Sequence, residues 1–156
     1  MFFPRTPGRR RLRFSCCAEI LAEVERLACG HRTLGNWSLA QICHHLADTQ
    51  EFCVQDREPE IKTTALYRAT IGRFALAVLL WFRFIPEQQG NLSPPGPADL
   101  EAAIERLRGA TGQIATQPMS AQHPIFGPLT QDQWRRFHLI HAAHHLSFVL
   151  PESESS

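Results

Sequence analysis

The sequence predicts an all-α protein, a helical bundle in one domain. Apolar residues recur at steps of three and four in five segments, which is the spacing of one face of an α-helix. Two segments begin with Ser or Thr followed three residues later by Gln, the capping-box pattern of a helix start. No segment shows the alternation of apolar and polar residues that a half-buried strand needs. A chain of 156 residues suits a single domain with a sizeable core.

Composition and charge argue against several classes of protein. A formal net charge of +1 gives no global attraction to nucleic acid, a membrane surface or an acidic partner. The five cysteines are odd in number and contain no Cys-x-x-Cys pair, so we expect reduced thiols and a cytoplasmic location. We expect no membrane association, because no uninterrupted apolar segment reaches the length of a span and the N-terminus lacks the apolar core of a signal peptide.

The chain is predicted to divide into a basic arm, a helical domain and a polar tail, at residues 1–14, 15–150 and 151–156. Five arginines crowd the arm, together with two prolines and a glycine that break regular structure. Such a run can neutralise phosphates, but no aromatic platform or nucleic-acid-binding motif accompanies it. We therefore expect a solvated tail, partly pinned by Leu12 and Phe14, and no nucleic-acid partner.

The first two helices are predicted from their apolar stripes and start signals. Ser15 is the expected cap of the first helix, which runs to about Cys29. Ser38 and Gln41 form a capping box at the start of the second helix, which runs to about Val54.

Two adjacent histidines lie on the second helix, and helical geometry separates them. At about 100° per residue, His45 projects near Ile42 and Phe52, at the margin of the apolar stripe. His44 projects farther from that stripe, toward water. The geometry therefore selects His45 as the inward histidine.

A third helix, at roughly residues 64–85, is predicted to be the buried centre of the fold. Residues 74–82 are almost continuously apolar. Arg73 and Arg83 bracket this segment and leave it too short to span a bilayer, so a buried helix is the better interpretation. Pro86 is expected to end the helix.

Segments rich in charge, proline or glycine separate the predicted helices. We expect connections at residues 57–63, 90–97 and 116–130. A fourth apolar stripe predicts a helix over residues 99–114. A second capping box, Thr130 with Gln133, starts the last helix.

The last helix carries half of the histidines, four of eight, within residues 133–148. His141 and His145 lie one turn apart on one face, where two imidazoles can reach one metal ion. His141 and His144 form a competing pair at i, i+3. A histidine cluster on an apolar stripe favours a metal site over histidines that only hydrogen-bond within the core.

Two segments also carry a family resemblance. Residues 34–47 contain a Trp-Ser entry to a helix, followed by His-Leu-Ala. Residues 123–130 read His-Pro-Ile-Phe-Gly-Pro-Leu-Thr and lead to His-Ala-Ala-His-His-Leu at residues 141–146. In order and separation these motifs resemble the DinB-like superfamily, in a bacterial branch, over most of residues 9–150. The sequence departs from that branch at Ser147, where Gln is more usual.

The resemblance implies a four-helix bundle, with an additional short helix or loop segments, that holds one divalent metal ion. The implied ligands are His45, His141 and His145, and only the resemblance selects His145 over His144. Zinc or nickel is the expected ion, and iron is compatible. Relatives in the superfamily include thiol-dependent transferases, so the implied activity is a metal-dependent transferase that activates a low-molecular-weight thiol.

Asp48 and His144 are the candidate catalytic residues beside these ligands. Asp48 lies one turn after His45, and either candidate could orient a ligand or transfer a proton. A role without catalysis fits the sequence equally well, with Asp48 as a carboxylate on the helix surface and His144 as a histidine of the core. His123, in the loop before the last helix, either lines the mouth of the site or sets the turn at Pro124.

Two other functions are compatible with the sequence. One is a non-catalytic bundle in which a metal ion or histidine hydrogen bonds tie the second helix to the last. The other is a stress-associated binding protein that acts through its basic arm. An open coordination position would favour the enzyme, and a closed one the structural role. The sequence does not fix the oligomeric state, and a homodimer is compatible with it.

Overall fold

The computed structural model confirms the predicted all-α fold. It describes residues 6–55, 63–83, 85, 99–119 and 122–152. Within these ranges lie five helices and one short two-stranded sheet. The helices are α1 (Cys17–Ala28), α2 (Leu39–Val54), α3 (Ala65–Phe82), α4 (Leu100–Thr116) and α5 (Gln131–Leu146); the strands are β1 (His31–Thr33) and β2 (Val149–Pro151).

Four of the helices, α1, α2, α4 and α5, enclose one hydrophobic core. Each contributes fully or almost fully buried aliphatic side chains, among them Ile20, Leu46, Leu107 and Leu146. A second core lies beside it, where α3 covers α5 and the loop before it; its centre is Trp134, which is fully buried. The predicted bundle is therefore present, and its fifth helix is added to one side.

The two capping boxes begin α2 and α5 as predicted. Ser38 Oγ accepts from the Gln41 backbone N–H at 3.2 Å, and Gln41 Oε1 accepts from the Ser38 N–H at 2.8 Å. Thr130 and Gln133 repeat this arrangement at 3.2 and 3.0 Å. These caps fix where each helix starts and hence which residues its inner face presents.

The predicted start of α1 is wrong by one residue. Cys16 is the N-cap and makes no side-chain capping bond, so Ser15 is not the cap. The Ser15 backbone N–H instead donates to the Glu19 carboxylate at 2.6 Å. An acidic side chain in the first turn satisfies an N–H near the helix start as a capping hydroxyl would.

The prediction that α3 is the buried centre of the fold is wrong. Its inner side is buried through Leu76, Leu79 and Leu80, but Phe74 is 72% exposed and Trp81 82% exposed. A continuous apolar run has no polar face, so its sequence does not reveal whether one side or both are covered. By length and composition alone, α3 is the one helix among the described residues that could cross a bilayer.

The backbone of α3 is adapted to its neighbour. Residues 68–72 form a π-helical turn, which widens the helix where it meets the loop before α5. A Cβ atom on Gly72 would collide with the carbonyl oxygen of Ile125. Only glycine therefore permits this approach. The helix ends at Phe82, and Arg83 adopts a left-handed conformation with φ 51°.

Several predicted features lie outside the described residues. These are most of the connection at residues 57–63, the loop at residues 90–97, Pro86 as the end of the third helix, and the ends of the arm and the tail, residues 1–5 and 153–156.

A short antiparallel sheet, which the sequence did not predict, ties the end of α1 to the segment after α5. His31 pairs with Pro151, and Thr33 pairs with Val149. Strands of three residues are too short for alternation to be visible in the sequence. The pairing holds the chain ends of α1 and α5 side by side.

The described part of the basic arm, residues 6–14, lies against the end of α5. The Arg10 backbone N–H donates to the Ser147 carbonyl at 3.0 Å, and the Arg10 guanidinium forms an ion pair with Glu23 at 2.6 Å. Phe14 is only 5% exposed and belongs to the main core.

Candidate metal centre

Three histidines converge between α2 and α5. His141 Nε2 lies 3.2 Å from His45 Nε2 and 3.0 Å from His145 Nε2. All three candidate ligand atoms lie within 4.8 Å of one another, and all three residues are partly buried. Two nitrogens that bind one tetrahedral zinc ion at 2.0–2.1 Å are about 3.3 Å apart. The cluster therefore has nearly the spacing of a ligand set.

The helices explain why these three side chains meet. His141 and His145 are four residues apart on α5 and so lie on one face of that helix. His45 comes from the part of α2 that packs against α5, at the margin of the core residues Ile42 and Leu46. His44, the neighbour that was predicted to face away, lies 3.2 Å from Arg106 of α4 and is not part of the cluster.

Hydrogen bonding alone does not account for the cluster. A neutral imidazole nitrogen carries either one lone pair or one hydrogen in the plane of the ring. His141 Nε2 therefore cannot form good hydrogen bonds to His45 and His145 at the same time. A cation among the three lone pairs would satisfy all of them. His141 Nδ1 is buried and has no hydrogen-bond partner among the described residues.

Burial holds all three histidines in the neutral form. It lowers the pKa of His145 to about 2, assisted by the neighbouring charges of His45, His144 and Arg9. Burial and the adjacent histidines also lower the pKa of His141 well below its ordinary value. Burial lowers the pKa of His45 too, and the Asp48 charge partly opposes this shift. Neutral imidazoles are the form that binds metal.

Aromatic rings hold two of these imidazoles in place. Trp37 stacks on His145 with ring centroids 5.5 Å apart and an interplanar angle of 11°, and it meets His45 edge-on at 5.1 Å. Phe137 stacks on His141 at 5.3 Å and 17°. The sequence suggested a role for Trp37 only in starting α2. Its position at the cluster depends on the packing of α2 against α5.

The arm reaches His144, which lies next to the cluster but outside it. An Arg9 guanidinium nitrogen lies 3.0 Å from His144 Nδ1, and Arg9 Nε donates to Ser147 Oγ at 2.6 Å. The guanidinium also lies 4.3 Å from the centroid of the Phe148 ring. Because guanidinium nitrogens only donate, His144 Nδ1 accepts, and neutral His144 carries its proton on Nε2. Ser147, the residue that departs from the expected Gln, is thus a partner of the arm.

Asp48 lies in a polar network on the outer side of α2. Its carboxylate forms an ion pair with Arg106 at 2.5 Å, and its side chain is 57% exposed. Arg106 also pairs with Glu51 at 2.6 Å. The Asp48 charge acts on His45 by raising its pKa.

His123 sets a turn in the second core. It is 8% exposed, and its Nδ1 accepts from the backbone N–H groups of Ile125 and Phe126 at 3.1 and 3.3 Å. Its own backbone exchanges two hydrogen bonds of 2.9 Å with Gly127. Burial lowers its pKa to about 4. Of the two roles considered for His123, these contacts match the turn.

The cysteines are not part of the cluster. All five are free thiols, and Cys43 and Cys53 are fully buried. Burial raises the pKa of both thiols to about 12, so neither supplies a thiolate ligand near neutral pH. Cys53 Sγ lies 3.2 Å from His138 Nε2 within the second core.

The comparisons with known proteins correct the family prediction. A family model described as "Protein of unknown function (DUF1569)" matches residues 7–152. Comparison with curated proteins and with solved structures found no match. Nothing links the chain to the DinB-like superfamily, so that assignment is wrong. The motifs that suggested it encode a capped helix start, a tight turn and a helical histidine pair, which different helical bundles can share. The chain belongs to the DUF1569 family.

Proposed function

We propose that this protein binds one divalent metal ion through His45, His141 and His145 and uses it to activate a small nucleophile. The observation that supports this proposal is the convergence of three Nε2 atoms. His141 Nε2 lies within hydrogen-bonding distance of both His45 Nε2 and His145 Nε2, but it cannot bond well to both at once. The neutral state of the imidazoles supports the same proposal. Because this support is geometric, the proposed metal site does not depend on the family resemblance.

The donor set fits a borderline divalent ion. Three imidazoles suit zinc or nickel, and also iron. Three protein ligands leave a coordination position for water or substrate, and the partial exposure of all three histidines is compatible with access to it. When bound there, the ion would lower the pKa of a water or a thiol and so supply a nucleophile at neutral pH.

The proposed reaction class is a metal-dependent transfer in which a low-molecular-weight thiol attacks an electrophile. Trp37 restricts the His145 ring and forms one wall of the site. His144 carries its proton on Nε2, so it would act as a hydrogen-bond donor rather than as a base. Asp48 is the carboxylate available to receive a proton near His45, at the cost of weakening its pair with Arg106.

A structural ion is the second candidate. His45 belongs to α2 and the other two histidines to α5, so an ion among them would tie the two helices together. A closed coordination shell would favour this role, whereas an exchangeable position would favour the enzyme.

The first test measures metal content in protein purified without a histidine tag. Elemental analysis should find about one equivalent of metal in the wild type and almost none in His45→Ala or His141→Ala. His44→Ala is the matched control, because it removes the adjacent histidine on the same helix and should retain the ion. Equal metal content in all four proteins, or none in the wild type after reconstitution with zinc and nickel, would contradict the proposal.

The second test asks whether a coordination position is open. Cobalt(II) replaces zinc in such sites and reports its ligands through its visible spectrum. Addition of a small thiol should change the spectrum of the cobalt protein and produce a sulfur-to-cobalt charge-transfer band. A spectrum that thiols, azide and pH leave unchanged would favour the structural role instead.

A further inference from the structure

The outer face of α3 is a large apolar surface. Seven side chains make up this α3 patch, with exposed fractions from 37% to 82%: Leu66, Tyr67, Ile71, Phe74, Val78, Trp81 and Phe82. Three further residues of the helix, Leu76, Leu79 and Leu80, face the core instead. One helix therefore presents large apolar side chains on both sides.

The size of the α3 patch exceeds what a monomer usually exposes. With about 150–250 Å² for each aromatic side chain, the four aromatic residues alone expose roughly 500 Å². The three aliphatic residues bring the patch to roughly 800 Å², whereas the largest apolar patch of a typical monomer covers about 300–600 Å². A standard protein interface buries about 800 Å² on each partner.

The patch is firmly held. The inner leucines of α3 share a core with Trp134 and Phe137 of α5. Gly72 brings the helix backbone against the Ile125 carbonyl. Because the inner side is anchored in this way, α3 cannot turn its outer side inward without losing the second core.

The spacing of the patch is that of a helix–helix seam. Tyr67, Ile71, Phe74, Val78 and Trp81 follow one another at steps of four, three, four and three residues. This alternation is the pattern by which one helix packs along another. The patch contains no carboxylate and no cation, so two identical copies would meet without charge repulsion.

We propose that the α3 patch is covered by the same patch of a second copy, so that two α3 helices pack across a twofold axis. A twofold interface uses one self-complementary surface twice, and a neutral apolar stripe with helical spacing meets that condition. The area matches a stable dimer. The interface is independent of the metal centre, because no residue of the patch belongs to the histidine cluster.

A lipid surface is the competing occupant, and the charges disfavour it. Helices that lie on membranes carry Lys and Arg beside the apolar face to meet anionic headgroups. Among the described residues beside α3, Arg68, Arg73 and Arg83 each donate to a backbone carbonyl of their own chain, at Thr63, Pro128 and Phe14. The bonds of Arg73 and Arg83 connect α3 to the loop before α5 and to the segment before α1, whereas the bond of Arg68 is local.

The test is the oligomeric state of the full chain. Light scattering after size exclusion should give twice the 17.7 kDa of one chain for the wild type. Phe74→Glu and Trp81→Glu should each give a monomer, because a carboxylate at the seam would be buried without a partner. Ala115→Glu, which adds the same charge to an exposed position of α4, should remain a dimer.

Two further measurements test whether the seam variants remain folded and whether the α3 patch binds lipid. Far-ultraviolet circular dichroism should show unchanged helix content in Phe74→Glu, because that side chain is already exposed in one copy. Flotation with vesicles of neutral and of anionic lipid tests the competing occupant. A wild type that is monomeric, with or without vesicle binding, would overturn the proposal, as would a dimer that both seam variants leave intact.

Discussion

His123 is a residue through which pH should act on stability. Its pKa in the folded protein is about 4, against about 6.5 in an unfolded chain. Between these values the unfolded chain binds the proton and the folded chain does not. The contribution of neutral His123 is therefore fully present above about pH 6.5 and is lost as the pH falls toward 4, by about 3 kcal/mol in total. Chemical denaturation at pH 7.5, 6 and 5 would measure the total loss, to which the buried His141 and His145 also contribute, so a matched variant is needed to isolate His123.

The matched variant for that measurement is His123→Asn. The Asn side-chain oxygen can accept from the Ile125 and Phe126 N–H groups, as His123 Nδ1 does, but it does not titrate. The variant should show a shallower loss of stability between pH 6.5 and 5. If its slope equals that of the wild type, other groups carry the pH dependence.

Trp37 should affect metal affinity without touching the metal. Its ring stacks on His145 and so restricts one proposed ligand. Trp37→Ala should weaken zinc binding about 10-fold or more, the usual cost of losing a group that orients a ligand. Trp37→Phe keeps an aromatic ring and should recover most of the affinity. Competition with a zinc chelator gives both values, and equal affinities in all three proteins would remove this role.

Individual residues differ in how far the sequence predicted them. His45 was separable from His44 because only one of them lies at the margin of an apolar stripe. His145 was not separable from His144, because both lie within one turn of His141 and only the packing of α5 on α2 distinguishes them. The contact of Arg9 with His144 joins residues 135 positions apart, and no local pattern encodes it.

At the level of elements, the cap of α5 should stabilise the helix that carries two of the three histidines. Thr130→Ala removes the hydroxyl that accepts from the Gln133 N–H and should lower the free energy of unfolding by about 1 kcal/mol. Thr130→Ser keeps an acceptor and should lose much less. Urea denaturation measures both. A loss equal in the two variants would mean that the hydroxyl is not the stabilising group.

The starts of α2 and α5 were predictable because a capping box is a local signal within four residues. The exposure of the outer face of α3 was not predictable. A continuous apolar segment indicates an apolar helix, but it does not indicate which sides of the helix are covered by other elements. The π turn at residues 68–72 is also invisible in the sequence, since it follows from the fit of Gly72 against Ile125.

At the level of the whole molecule, the bundle should fold without the metal. Two hydrophobic cores, centred on buried residues such as Leu46 and Trp134, hold the helices together apart from the histidine cluster. His141→Ala and His45→Ala should therefore keep their helical circular dichroism spectrum. Thermal melts should show that zinc at 100 times its Kd stabilises the wild type by at most about 2.7 kcal/mol, or about 5–10 °C, and stabilises neither variant to that extent.

The same melts separate the two roles of the ion. Unfolding at room temperature after chelation would mean that the ion completes the fold, as in a structural site, and the enzyme proposal would be withdrawn. A folded protein without metal would leave the ion free for catalysis.

The sequence separation of the three histidines has a consequence for the denatured chain. His141 and His145 stay four residues apart when the protein unfolds, whereas His45 is 96 residues from His141. In the unfolded chain, His141 and His145 can therefore still bind one metal ion together, but His45 is no longer held near them. Because ligand held by the unfolded chain does not stabilise the fold, zinc should protect the protein less than its native affinity implies. During refolding in zinc, recruitment of His45 becomes the closure of a long loop, whose entropic cost grows only slowly with length.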